Sequence, residues 1–291
     1  MIEFCGLELE HRVINASGCF DVLAARRVFG EALGERFPFA AYVSKTVTLA
    51  PRAGNPPPRL WESAAGLINS IGLPNPGIDD YLDQHVREYA TLGVPLITNV
   101  MGASAAEFAE LVERVSDRAE VAAIELNVSC PNVATGLDIG ADPRGIEDLL
   151  VAVRPLTTKP LIVKLTPNTV DVAACAAAAQ DAGADAVSLI NTLRAMALSG
   201  DGSGRPWLGG RTGGMSGPAI RQIALAQVAS VTARVTIPVV GMGGVTSGAD
   251  AAALLEVGAQ LVAVGTESFR DPAAGSRIAS ELAASFAENA A

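Results

Sequence analysis

Short apolar runs recur along this chain with helical stretches between them, and that alternation leaves few folds open. Strands are predicted near 13–17 (VINAS), 40–46 (AAYVSKT), 95–100 (PLITNV), 122–129 (AAIELNVS), 160–165 (PLIVKL), 185–191 (DAVSLIN), 237–242 (IPVVGM) and 260–265 (QLVAVG). Helix punctuation fills the intervals. Ser104-Ala-Ala-Glu107 has the spacing of a capping box, Asp142-Pro143 places a cap before a proline at the first helical position, and Gly183 and Gly258 suit left-handed helix stops. Strands that run nearly continuously apolar and alternate with helices belong to a parallel sheet covered on both faces. Eight of them predict a closed α/β barrel, a single (β/α)8 TIM barrel, which typically needs about 250 residues. The competing open, doubly wound sheet would carry a G-x-G-x-x-G turn after an early strand, and the sequence has none. With no internal repeat or low-complexity linker, residues 1–291 read as one domain.

Composition narrows the function classes. Hydrophobic residues make up 49% of the 291 and charged residues 18%, enough for a large core. The net charge of −10, without a Lys/Arg cluster, argues against a nucleic-acid or anionic-membrane partner. The N-terminus lacks the basic-then-apolar layout of a signal peptide, and the most apolar helical stretch is interrupted by Gln180, Asp181 and Asp185. Cys5, Cys19, Cys130 and Cys175 lie far apart with no CxxC pair, which speaks against a disulfide framework, a zinc site or an iron–sulphur cluster held by this chain alone. A cytoplasmic protein with reduced thiols and no metal is the expectation.

Barrels place their chemistry at the C-terminal ends of the strands. Those ends carry Ser17, Lys45, Asn99, Asn127 with Cys130, Lys164, Asn191 with Thr192, Gly243-Gly244, and Gly265-Thr266. Two lysines inside apolar strands would each bury an ammonium, which costs several kcal/mol without a partner. Glu125 is an obvious partner for one of them; otherwise the lysines mark a site. Glycine turns after the last two predicted strands suit a phosphate cradle. Amide side chains suit the edges of a flavin or a pyrimidine, because each offers a donor and an acceptor. A lysine beside the flavin N1–C2 edge would stabilise the reduced ring, whereas an aldolase would use Lys164 or Lys45 to form a Schiff base. His11 and His85 lie away from the strand ends, so Cys130, on a Pro-Asn turn, becomes the candidate base. Cys5, Cys19 and Cys175 read as small buried hydrophobes. The long connections 47–76 and 193–217, rich in Gly and Pro, read as structureless lids or binding loops over the C-terminal face.

Taken together, "SKT", "NSIGLPNPG", "ELNVSCPN", "VKLTPN", "INTLRAM", "RTGGMSGPAI", "GMGGV" and "VGT" resemble class 1 dihydroorotate dehydrogenases, from Ser17 to Thr266 in order and spacing. The resemblance implies a flavin mononucleotide (FMN) enzyme on a barrel that oxidises dihydroorotate to orotate in pyrimidine biosynthesis. It implies that Cys130 takes the C5 proton while hydride leaves C6 for the flavin. Asn69, Ser70, Ile71, Gly72, Leu73, Asn127, Asn132, Asn191 and Thr192 would hold the substrate, with Lys45 between substrate and flavin. FMN would be bound by Ser17, Lys45, Thr46, Asn99, Asn127, Lys164, Ile190, Gly217, Gly243, Gly244, Gly265 and Thr266.

The "INTLRAM…RTGGMSGPAI" segment is most similar to the NAD-linked (class 1B) subtype, in which a second subunit carries FAD and a [2Fe–2S] cluster. A two-plus-two heterotetramer or a homodimer follows from that resemblance. Departures lie in "VATGLDIGADP" and at Ala195, where relatives often have glycine. The alternatives are a fumarate-linked dihydroorotate dehydrogenase or a dihydropyrimidine dehydrogenase-like flavoprotein. Outside that class stand an aldolase-type lyase and a catalytically silent flavin-binding subunit.

Overall fold

In the computed structural model, residues 1–30, 32–128 and 139–289 are described. Eight parallel strands form the frame: β1 (Val13–Asn15), β2 (Tyr42–Val43), β3 (Leu96–Val100), β4 (Val121–Asn127), β5 (Leu161–Lys164), β6 (Ala186–Leu189), β7 (Val239–Met242) and β8 (Leu261–Val264). Hydrogen bonding runs β1-β8-β7-β6-β5-β4-β3-β2, parallel at every step. Each predicted strand is present, one to three residues shorter than its apolar run or, for β2, reduced to two residues.

Closure between β1 and β2 is made by a side chain. Asn15 is fully buried; its Nδ2 donates to Val43 O at 2.8 Å and its Oδ1 accepts from Val43 N at 2.8 Å. The amide reproduces the donor–acceptor pair of a ladder rung. Ala40 N adds a bond to Val13 O at 3.0 Å.

Helices follow the strands in turn: α1 (Val22–Phe29), the composite 78–89, then α2 (Ala105–Ser116), α3 (Pro143–Val153), α4 (Val172–Asp181), α5 (Arg221–Thr232), α6 (Gly248–Glu256) and α7 (Ala274–Asn289). Asp142 caps α3 ahead of Pro143, and Gly183 and Gly258 stop α4 and α6 at φ 94° and 102°. The box at α2 is altered. Ser104 accepts from Glu107 N, but the Glu107 carboxylate passes over Ser104 and accepts from Ala103 N at 2.9 Å.

Side chains alternate across a strand, so every second residue enters the barrel. Its lower interior is apolar: Ile14, Val43, Ile97, Ala123, Ile162, Ala186, Val240 and Ala263. An antiparallel hairpin, Ile2–Phe4 with Leu7–Leu9, plugs that end with Phe4 and Leu9 in the same cluster. One strand step further up, the interior positions become Asn99, Glu125, Lys164 and Ser188, all buried. The barrel is closed below by hydrocarbon and carries polar groups above on the β3–β6 side, while Ala16 and Met242 keep the β1 and β7 positions apolar.

The two long connections are not structureless. Leu60–Ser63 and Gly66–Asn69 from the first, and Leu193–Ala195 and Gly213–Ser216 from the second, form one four-stranded antiparallel sheet. It stands at the C-terminal end of the barrel, where Thr266 Oγ1 donates to Ser216 Oγ at 2.8 Å. No helix among the described residues is long and apolar enough to cross a membrane.

Candidate active site

Two hydrogen-bonded chains organise the mouth. In the first, Ser17 Oγ donates to Ser44 O at 2.8 Å and lies 3.5 Å from Thr46 Oγ1. Asn127 Nδ2 donates to Thr46 Oγ1 at 3.2 Å, and Asn191 Nδ2 to Asn127 Oδ1 at 3.5 Å. Asn191 Oδ1 in turn accepts from Thr192 N at 2.8 Å. Five expected site residues from the ends of β1, β2, β4 and β6 are thereby brought into one line.

The second chain carries charge. Asn99 Nδ2 donates to Glu125 Oε1 at 2.8 Å, and Lys164 Nζ stands 3.9 Å from the same oxygen. Ser188 Oγ lies 3.5 Å from Glu125 Oε2. Lys164 therefore has the carboxylate partner that a buried lysine requires. Asn99 Oδ1 is buried and has no hydrogen-bond partner among the described residues. A buried acceptor left open costs about 1–3 kcal/mol, which a ligand donor would recover.

Lys45 differs from Lys164. It sits just beyond β2, half-buried, and makes no ion pair among the described residues. Burial lowers its pKa from the ordinary value of 10.5. Cys19 is close by. Burial pushes its thiol up, while the Lys164 and Lys45 charges pull it down, and Sγ lies 3.8 Å from Ser17 O. Its surroundings are more polar than the small-hydrophobe reading implied. Cys175 matches that reading, fully buried on α4. Burial raises the Cys5 thiol to about 12, with Asp185 and Glu3 adding to the effect.

Glycines build the opposite rim. A side chain at Gly243 would meet Ile190 and Ala224, and one at Gly244 would meet Arg221 and Gly217 O. At Gly217 it would approach Thr266. Gly217, Gly243 and Gly244 all have positive φ, at 87°, 134° and 73°, which glycine adopts without strain. Ile190, Gly217, Gly243, Gly244 and Thr266 are thus gathered at one corner, with Gly265 beside Cys19. Arg221 braces the corner by donating to Gly244 O at 3.0 Å and pairing with Asp250 at 2.9 Å.

The expected pyrimidine loop, 69–73, is held by amides that the sequence reading did not single out. Asn55 Nδ2 donates to Ser70 Oγ at 3.0 Å, and Asn55 N to Ile71 O at 3.0 Å. Asn75 donates to Leu73 O at 2.9 Å and to Thr48 Oγ1 at 3.0 Å. Gly72 and Leu73 both take positive φ, at 74° and 54°. Asn69 Nδ2 reaches Gly214 O at 3.1 Å, and Gly214 lies against Thr192, so the loop and the β6 end share one small sheet. Asn168 clamps the same segment, donating to Thr192 O at 3.0 Å and accepting from Arg194 N at 2.8 Å. Asn75 and Asn168 lie inside the motifs NSIGLPNPG and VKLTPN, which were the available signal for them; Asn55 had none. Cys130 and Asn132 lie outside the described residues.

The family model described as "Dihydroorotate dehydrogenase" matches residues 1–286. A curated relative from Geobacter sulfurreducens, "Dihydroorotate dehydrogenase B (NAD(+)), catalytic subunit", is 44% identical over 99% of this chain and 93% of its own. The protein of the same description from Geobacter metallireducens is also 44% identical, over 97% of this chain and 91% of its own. Among solved structures, DHODH from Eimeria tenella in complex with ferulenol superposes with a TM-score of 0.80, covering 99% of this chain and 85% of the other. At 21% identity that likeness establishes the barrel fold.

Proposed function

The chain belongs to the dihydroorotate dehydrogenase family, and we propose that it binds FMN at the barrel mouth and oxidises dihydroorotate to orotate as the catalytic subunit of an NAD-linked enzyme. The observation that carries this reading is the mouth itself: a glycine rim at one side, paired amides and two lysines at the other, and a buried Asn99 acceptor awaiting a donor.

That donor set fits FMN. Gly217, Gly243, Gly244, Gly265 and Thr266 offer backbone amides without intruding side chains, which suits a phosphate. Asn99 and Lys164 offer an acceptor and a cation, which suit the N–H and carbonyl edge of the ring. When bound, FMN supplies the acceptor for the hydride leaving C6 of dihydroorotate. Asn127, Asn191 and the 69–73 loop orient the pyrimidine, and Lys45 places a positive charge at the substrate side. Cys130, as thiolate, takes the C5 proton; loss of that proton and of the C6 hydride creates the C5–C6 double bond of orotate. A second subunit holding FAD and a [2Fe–2S] cluster would supply the route for electrons to NAD, in keeping with relatives described as a catalytic subunit.

Cys130→Ala is expected to retain FMN and lose reduction by dihydroorotate, whereas Cys130→Ser retains slow reduction that improves at high pH, because a hydroxyl is the weaker base. Wild-type reduction rates in the alanine variant would contradict the assignment. Fast reoxidation of the isolated chain by fumarate would contradict the NAD-linked subtype.

A further inference from the structure

We infer that Glu125 is a positioning residue of the flavin site: it fixes the orientation of the Asn99 amide and offsets the charge of Lys164. The inference rests on the FMN reading above and concerns a residue that this reading does not use.

A carboxylate can only accept hydrogen bonds. Glu125 Oε1, 2.8 Å from the Asn99 amide nitrogen, therefore decides which way that amide faces. The NH2 group is tied to β4, and Oδ1 is left as an acceptor with no protein partner among the described residues. The second consequence is electrostatic. Glu125 is 3% exposed and Lys164 5% exposed, with Oε1 and Nζ 3.9 Å apart. In so dry a place the two charges cannot be screened by water, so the carboxylate reduces the positive field that Lys164 presents to its surroundings. Ser188, from β6, also lies beside Glu125, whose backbone is fixed in the ladders to β3 and β5. Side chains from β3, β5 and β6 thus converge on this β4 carboxylate, to which the proposed mechanism gives no proton or hydride step.

A reduced flavin carries more negative charge than an oxidised one, so a stronger local cation favours reduction. Glu125→Gln removes the compensating charge and lets position 125 donate to Asn99 Oδ1, permitting the amide to turn. The test is the midpoint potential of FMN-loaded wild type, E125Q and E125D, with FMN affinities of the apoproteins measured by quenching of flavin fluorescence. E125Q is expected to favour reduced over oxidised FMN by a further factor of at least about ten, a positive shift of about 30 mV for a two-electron couple. It is also expected to bind oxidised FMN more weakly. E125D, which keeps the charge on a shorter arm, shifts the potential in the same direction by less than half as much, and it carries the test if E125Q does not fold. FMN bound to both variants at the wild-type potential would overturn the inference. Failure of wild type to bind FMN would instead overturn the functional reading beneath it.

Discussion

Two lysines reach the same barrel mouth and are treated in opposite ways. Lys164, at the end of β5, is buried with Glu125 beside it and the Asn99 and Ser188 side chains around that carboxylate. Lys45, beyond β2, is half-buried, pairs with no carboxylate among the described residues, and has its pKa lowered by burial. The first cation is held by the protein in the absence of any ligand. The second is costly to bury, and the nearby Cys19 and Asp21 offset that cost only in part. A fixed cation suits a resident cofactor; a partly compensated one suits a substrate that comes and goes, and dihydroorotate is a carboxylate.

The comparison breaks most visibly at Lys164. Lys164→Met leaves Glu125 buried without its nearest cation, which typically costs about 3–5 kcal/mol. At roughly 2–4 °C per kcal/mol for a protein of this size, the apoprotein melts roughly 6–20 °C lower by circular dichroism, and FMN binding is lost. Lys45→Met should behave otherwise. Its apoprotein melting temperature stays within about 2 °C of wild type or rises, because an unfavourable buried charge is removed. Reduction of the bound flavin by dihydroorotate falls about 100-fold or more in stopped-flow measurements.

The pH dependence sharpens the contrast further. Lys45 holds its proton less tightly folded than unfolded, so between its lowered pKa and 10.5 the unfolded chain binds more protons. Stability contributed at this position therefore rises with pH through that window. The Lys45→Met advantage in chemical denaturation should shrink across the same range. Substrate affinity moves the other way: it weakens on an alkaline limb below pH 10.5, a limb that Lys45→Met lacks. The smallest effect is expected at Cys19. It neighbours both lysines but offers only a thiol held protonated by burial, so Cys19→Ala keeps FMN affinity within about threefold on fluorescence titration.

All eight strands were legible because a parallel barrel strand, buried on both faces, writes itself as an unbroken apolar run. The strand-end residues were legible for the converse reason, as polar groups where hydrocarbon was due. The four-stranded sheet was not. Its strands are only three or four residues long, and pairs such as Gly214 with Asn69 join segments that no local pattern connects. Asn15 was passed over as part of a strand, although an asparagine inside VINAS was the mark of its role in closure. Asn75 and Asn168 fall inside the motifs NSIGLPNPG and VKLTPN, but the bonds of Asn55 to Ser70 O and of Asn168 to Thr192 O reach groups 15 and 24 residues away, which no local pattern announces. Glu125 was visible as a lysine partner; its hold on Asn99 depended on the register of β3 against β4, in which the two residues are directly paired.

The central claim is that dihydroorotate gives its electrons to a flavin at this mouth. Anaerobic titration of the FMN-loaded chain with dihydroorotate, followed by flavin absorbance, tests it without any partner subunit. The account predicts bleaching with close to one equivalent and release of orotate. A flavin-loaded chain that stays yellow at excess dihydroorotate, or a purified chain that takes up no FMN, would contradict it.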